Sequence, residues 1–139
     1  MKIRLATTAS KNLRAEVVQT AADADPIDWS VLNEFRFMRQ PGQVSLRDRL
    51  ISLYLVTSRP LVEELSLAVQ ALDALQVGKS AHALKSSSAN VGALPLAQML
   101  GTLEALARQN ELQRIAALKP QIDAEYRRVS VALQADATC

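Results

Sequence analysis

Apolar residues recur at every third or fourth position along most of the chain after residue 45, which is the spacing of one face of an α-helix. The first long stripe follows Ser45, which together with Asp48 has the spacing of an N-terminal capping box. Its apolar members are Leu46, Leu50, Leu53, Leu55, Val62, Leu65, Leu67, Val69 and Leu72. Pro60 lies within the stripe, so the pattern predicts a long helix that is kinked or broken at this proline.

Three further helices are predicted after this one. Asp73 and Gln76 are spaced as a second N-terminal cap, and their helix should end at Gly92, because glycine adopts the left-handed conformation at little cost. Pro95 suits the first turn of the next helix. The inward residues of that helix are Leu96, Leu100, Leu103 and Ala107. The last stripe continues across Pro120, which favours one kinked helix over two. Its members are Leu112, Ile115, Leu118, Ile122, Tyr126, Val129 and Leu133.

The beginning of the chain has a weaker pattern. Residues 1–24 show little apolar periodicity, and we interpret them as a tail or linker. A short helix is predicted to begin after Asp28 and to precede a turn at Pro41 and Gly42. Its residues at helical spacing are Trp29, Leu32, Phe35 and Met38. We therefore expect a single helical domain over residues 26–136.

Composition supports the same fold class. The chain is 49% hydrophobic but only 4% aromatic, so its core must consist mainly of Leu, Val, Ile and Ala. Such a core favours closely packed helices over a sheet rich in aromatic and β-branched residues. The predicted fold is all-α, an antiparallel up-down four-helix bundle with an additional short N-terminal helix.

Charge and cysteine content narrow the possible functions. A net charge of +2 is too small for a protein that mainly neutralises nucleic-acid phosphates. The single cysteine, Cys139, is the last residue, which excludes an internal disulfide or a CxxC metal site. No apolar stretch is long enough to span a bilayer, and no signal-peptide core is present. We expect a cytoplasmic chain that neither binds nucleic acid nor inserts into a membrane.

The only histidine, His82, lies among small residues in the helix predicted between Asp73 and Gly92. On a helical wheel its face also contains Leu75, Gly78, Lys79, Lys85, Ser86 and Ala89. The opposite, core-seeking face contains Val77, Leu84 and Val91. The pattern therefore predicts an imidazole that points away from the core.

A lone histidine is more often a surface or packing residue than a reactive one, but its neighbours favour reactivity. Lys79 and Lys85 lie one turn to either side and would attract a phosphoryl group. Gly78, Ser86 and Ala89 are small enough to admit the surface of another protein. With one histidine and one terminal cysteine, the chain offers no ligand set for zinc and no partner for a Cys-His nucleophilic pair, so a nucleophilic imidazole that acts alone remains. Lys79 is as readily explained as a solvated surface lysine.

The segment AHALKSSSANVGALPLAQMLGTLEALAR, residues 81–108, resembles the core motif of histidine-containing phosphotransfer (HPt) domains, written loosely as AHxLKxSSxxxGAxxLAxxxxxLE. The resemblance implies that His82 accepts a phosphoryl group, normally on Nε2, and that Lys85 steadies it. Ser86 matches a small position, frequently glycine, where the receiver domain of a response regulator approaches. Glu104 matches a polar position near the imidazole, where a carboxylate could orient the ring, and Arg108 is a weaker candidate one turn further on.

The resemblance also implies the partners. Receiver domains of a hybrid histidine kinase and of a response regulator would exchange the phosphoryl group with His82. The chain itself would bind no cofactor or metal, because the receiver holds the Mg²⁺. It would act as a monomeric carrier without kinase activity of its own, either as the C-terminal module of a membrane-anchored hybrid sensor kinase or as a free-standing protein.

Two other classes of helical protein also present a histidine on a bundle surface. The phosphoacceptor domain of a sensor kinase typically has an acidic residue directly after the histidine and a proline four residues beyond that. Ala83 and Pro95 do not fit this pattern, and no glycine-rich ATP-binding lobe is present. The remaining alternative is a helical protein-interaction module in which the surface histidine is incidental.

Overall fold

The computed structural model describes residues 25–137, which form five helices and contain no strand. Helix α1 is Trp29–Asn33, α2 is Leu46–Gln70, α3 is Ala74–Asn90, α4 is Leu94–Arg108 and α5 is Leu112–Ala137. The predicted all-α class is confirmed. The interpretation of residues 1–24 as a tail or linker, and the terminal Cys139, lie outside the described residues.

Helices α2 and α3 begin directly after the N-terminal caps predicted from the sequence, Ser45 and Asp73. Ser45 Oγ accepts a hydrogen bond from the Asp48 backbone N–H at 3.1 Å, and an Asp73 carboxylate oxygen accepts one from Gln76 N–H at 3.1 Å. Each cap satisfies a backbone N–H that has no partner within its own helix. Helix α3 ends at Asn90, and Gly92 has a φ of +81°, as expected for the residue that terminates it.

The helices α2 to α5 form a closed bundle. Helix α2 packs against α3 and α5, and α4 packs against α3 and α5. The connections between successive helices are short, at residues 71–73, 91–93 and 109–111, so neighbours run antiparallel. Helix α1 is tied to the α3–α4 turn, because Asp28 N–H donates to the Gly92 carbonyl oxygen at 2.8 Å. The predicted up-down bundle with a short N-terminal helix is thus the observed architecture.

The core consists of aliphatic side chains from all the helices. The predicted inward residues of α4 are all buried, and those of α5 are buried or partly buried. The most completely buried large side chains are Ile27, Leu32, Ile51, Leu65, Leu84, Leu96, Leu100, Leu103, Ile115, Ile122, Leu133 and Val77.

The buried face of helix α2 differs from the one that the apolar pattern predicts. Leu53 and Leu67, both assigned to the apolar stripe, are 58% and 65% exposed, whereas Tyr54 and Ser58 are buried. The buried set follows a regular helical spacing on which Leu53 and Leu67 do not lie. Leu72 is also exposed, because it occupies the α2–α3 turn with a positive φ of +56°.

Buried hydroxyl groups explain why polar residues occupy the inner face of α2. The Tyr54 hydroxyl and Ser88 Oγ are 2.8 Å apart, and Ser58 Oγ and the Tyr126 hydroxyl are 2.7 Å apart. These pairs satisfy polar groups that burial would otherwise leave without partners. They join α2 to α3 and to α5.

Two other expectations are modified by the structure. Helix α2 continues through Pro60, so this proline does not break it, whereas α5 continues through Pro120 as the single helix that the sequence predicted. Helix α1 ends at Asn33, and Phe35 and Met38 therefore lie beyond it in the turns that lead to α2.

Candidate functional site

The imidazole of His82 lies on the outer face of α3, in the middle of the helix. Its side chain is 63% exposed. The residues predicted to lie opposite, Val77, Leu84 and Val91, are all buried. The predicted outward orientation is therefore correct, and it follows from the helical repeat alone.

Glu104 on α4 connects the histidine to a lysine. One carboxylate oxygen, Oε2, lies 2.9 Å from His82 Nδ1, and the other, Oε1, accepts a hydrogen bond from Lys85 Nζ at 2.8 Å. His82 and Lys85 are one turn apart on α3, so a single carboxylate from the antiparallel neighbour can contact both. No residue of the described range 25–137 hydrogen-bonds the other ring nitrogen, Nε2.

Glu104 is held in its ionised form by its neighbours. The hydrogen bond from Lys85 is the main cause, and with a smaller contribution from His82 it outweighs desolvation and lowers the pKa of the Glu104 carboxyl below its usual value. Arg108 Nη1 lies 3.7 Å from Glu104 Oε2, one turn along α4. The weaker sequence candidates Glu104 and Arg108 thus lie directly beside His82.

Two depressions flank the imidazole along the seam between α3 and α4. The first, which we name the Leu75 groove, has a volume of about 410 Å³ and is next to His82 and Glu104. Its other lining residues are Ala74, Leu75, Gly78, Lys79, Ala107 and Arg108. The second, which we name the Ser86 depression, has a volume of about 620 Å³. It is lined by Lys85, Ser86, Ala89, Leu94, Pro95, Ala97 and Gln98.

The predicted partner-binding residues are therefore divided between two sides of the histidine. Gly78 and Lys79 belong to the Leu75 groove, and Ser86 and Ala89 belong to the Ser86 depression. The structure brings every predicted site residue to one face of the bundle. Their roles remain predictions, because position alone does not establish them.

Sequence reasoning named Glu104 and Arg108 on α4, but it missed the other residues that α4 contributes to the two depressions and the prominence of Leu75. Leu75 was placed on the histidine face but was not selected as a site residue, although its side chain is 72% exposed. Its spacing of seven residues from His82 was the available signal, since i and i+7 lie on the same helical face. Ala107 was predicted as a core residue, and it is buried while also forming part of the groove.

Two negative findings concern the described part of the chain. Residues 25–137 contain no group of three or more His, Cys, Asp or Glu side chains that could hold a metal ion. No helix within the same range is both long and apolar enough to cross a membrane.

The fold and the site together define a class of protein, a helical bundle that presents one exposed histidine on its surface. The family model for the Hpt domain matches residues 49–132, more than half of the chain, and the chain therefore belongs to the Hpt domain family. The match covers α3 and α4, including His82 and Glu104.

A solved structure agrees with this assignment. The chain is similar to histidine-containing phosphotransfer protein B (HptB) from Pseudomonas aeruginosa PAO1, with a TM-score of 0.74 and 29% sequence identity. The superposition covers 84% of this chain and 97% of that chain. A comparison with curated protein sequences found no match.

Proposed function

We propose that this chain is a phosphorelay carrier that accepts a phosphoryl group on His82 from the aspartyl phosphate of one receiver domain and passes it to another receiver. Histidine phosphotransfer is the function of the family to which the chain belongs. The observation that carries the proposal is the arrangement of His82, Glu104 and Lys85, in which one ring nitrogen is held and the other is left accessible.

Glu104 would select the reactive form of the ring. An ionised carboxylate can only accept hydrogen bonds, so Nδ1 must carry the proton that it donates to Oε2. In a ring with a single proton, Nε2 then carries the free lone pair. Glu104 is thus a positioning residue that fixes the tautomer and the direction of the nucleophile.

The transfer step requires no proton movement. The Nε2 lone pair attacks the phosphorus of the aspartyl phosphate, the P–N bond forms, and the bond from phosphorus to the aspartate oxygen breaks. The aspartate leaves as a carboxylate, and the ring retains its proton on Nδ1 and becomes positively charged. Glu104 lies 2.9 Å from Nδ1, where its negative charge stabilises that product.

Lys85 would exchange partners during transfer. In the unphosphorylated protein its ammonium group binds Glu104 Oε1 at 2.8 Å. A phosphoryl group on Nε2 brings two negative charges close to the same surface, and a lysine ammonium on a flexible stem can turn to meet them. The Mg²⁺ required for chemistry at the aspartate would be supplied by the receiver. The chain would act in the cytoplasm as a monomer and would have no kinase activity of its own.

The test is transfer of labelled phosphate from phosphorylated receiver domains to the full chain and to His82→Gln. The exposed position of His82 allows glutamine without loss of packing, and circular dichroism of both proteins checks that they are equally helical. We expect label on the wild type only, stable in alkali and lost in acid, and release of that label to a second receiver.

Two results would overturn the proposal. Equal labelling of His82→Gln would show that another residue accepts the phosphoryl group. Absence of label from every donor, in a panel that includes the receivers encoded nearby, would favour an interaction module with an incidental histidine.

A further inference from the structure

We propose that the Leu75 groove is the part of this surface that discriminates between receiver partners, and that it accepts an apolar side chain flanked by carboxylates. This inference rests on the proposed phosphotransfer function and adds the chemistry of the partner that the site prefers. It assigns specificity to Leu75, Gly78 and Lys79 rather than to the residues on the opposite side of His82.

Gly78 is a glycine that helix packing does not require. Gly78 lies inside α3, where glycine destabilises a helix relative to alanine. A Cβ added at this position would meet only the Ala107 Cβ, at 3.5 Å, which is ordinary van der Waals contact. The fold would therefore accept alanine here. What glycine provides instead is depth in the groove directly beside His82, which lies one turn further along the same face.

The exposed apolar side chain of Leu75 lies at the edge of the same groove. Leu75 is 72% exposed and lies two turns from His82 on the same face of α3, a rise of about 10 Å. The floor and walls of the groove are Ala74, Gly78 and Ala107, which offer no hydrogen-bonding side chain. An incoming apolar group could therefore be covered on several sides while a phosphoryl group is exchanged at Nε2.

Positively charged side chains lie at the rim of the Leu75 groove. Lys79 forms no ion pair with any residue in the described range. Arg108 is exposed, and its Nη1 lies 3.7 Å from Glu104 Oε2, the oxygen that also contacts His82 Nδ1. The groove lining therefore contains two cations, Lys79 and Arg108, and one carboxylate, Glu104. The Ser86 depression differs, since its only charged lining residue is Lys85, whose ammonium group already binds Glu104 Oε1 at 2.8 Å. Carboxylates on a partner thus find complementary charge on the Leu75 side.

The variants that test this inference are Leu75→Asp, Gly78→Leu and Lys79→Glu in the full chain. Leu75→Asp introduces repulsion for a partner carboxylate, Gly78→Leu fills the groove, and Lys79→Glu reverses the charge at the rim. Matched controls are Leu53→Asp, which changes a leucine of comparable exposure on α2, and Arg59→Glu, which reverses an exposed charge on α2. Thermal unfolding of each variant establishes that it is folded at the assay temperature.

The measurement is the rate of transfer from the receiver that labels the wild type fastest, taken over a range of receiver concentration and of salt. We expect Leu75→Asp and Gly78→Leu to raise KM about tenfold while kcat changes little, as for an anchor residue at the centre of an interface. Lys79→Glu should lower kcat/KM most at low salt and should flatten its salt dependence. Both control variants should behave as the wild type.

Failure of this inference differs from failure of the proposed function. A wild type that no receiver labels overturns the function itself. A wild type that is labelled, with groove variants whose KM equals that of Leu53→Asp, overturns only the role of the Leu75 groove. A loss confined to kcat in the folded groove variants also overturns it, because docking specificity would then not be what these residues supply.

Discussion

Gly92 at the end of α3 allows strain and steric overlap to be separated by experiment. Its φ of +81° is left-handed, and a Cβ there would lie 2.4 Å from the carbonyl oxygen of Asp28 and 3.3 Å from the Val31 Cβ. Gly42 has nearly the same φ, +79°, but a Cβ added to it would meet nothing within 4 Å. The two alanine variants therefore share the backbone strain and differ in the overlap.

The expected magnitudes follow from these distances. A left-handed conformation costs an L-residue about 1–2 kcal/mol, which is the whole effect expected for Gly42→Ala. In Gly92→Ala the Asp28 backbone must also move away, which weakens the 2.8 Å hydrogen bond from Asp28 N–H to the Gly92 carbonyl, worth about 1 kcal/mol. Ile27, which is buried beside this contact, would lose packing as well. We expect Gly92→Ala to lower the free energy of unfolding by about 3 kcal/mol or more.

The assay is urea unfolding followed by circular dichroism for the wild type and both variants. A pure stability change moves the midpoint and leaves the slope m unchanged. Because small domains are stable by about 5–15 kcal/mol, both variants should remain folded without urea. Equal destabilisation by the two substitutions would refute the overlap argument. No loss in either variant would refute the strain argument too.

Three further predictions concern the site and the core. The hydrogen bond from Lys85 lowers the pKa of the Glu104 carboxyl in the folded state. The ionised carboxylate therefore stabilises the fold fully at pH above its ordinary pKa of 4.5, and this stabilisation is lost as pH falls through the lowered pKa of the folded state. The free energy of unfolding of Glu104→Gln should therefore be lower than that of the wild type near neutral pH, and the difference should be smaller in acid. A difference independent of pH would contradict this. Tyr54→Phe should cost about 1 kcal/mol in urea unfolding because it leaves the buried Ser88 hydroxyl without its partner, and adding Ser88→Ala should recover part of that loss. A double variant as unstable as the sum of the two single variants would argue against this coupling. Gly78→Ala should raise the free energy of unfolding by about 0.5–1 kcal/mol, and a lower thermal midpoint would show that the α3–α4 contact cannot accept the added methyl group.

The Hpt domain motif and the structure support one another at the histidine. The helical wheel predicted that His82 and Lys85 would lie on one outward face, and the motif implied a polar residue of the next helix nearby. That residue is Glu104, as the resemblance implied, and the structure shows that it bridges the two side chains. The bridge gives a physical reason for a carboxylate at this position.

Short-range physics explains what the sequence alone determined. Hydrogen bonds that cap a helix involve residues two or three positions apart, so the starts of α2 and α3 could be predicted from Ser45 and Asp73. The helical repeat likewise determined that His82 points outward and that the inner face of α4 is buried. These features depend on residues within one or two turns.

The tertiary structure decided what depends on residues distant in the chain. The face of α2 that enters the core contains Tyr54 and Ser58, because their hydroxyl partners come from α3 and α5. Leu53 is exposed, so apolar spacing alone could not identify the buried face of α2. The contact between His82 and Glu104 joins residues 22 positions apart and requires α3 and α4 to pack closely. The Leu75 groove exists only between these two helices, since neither helix by itself encloses a volume.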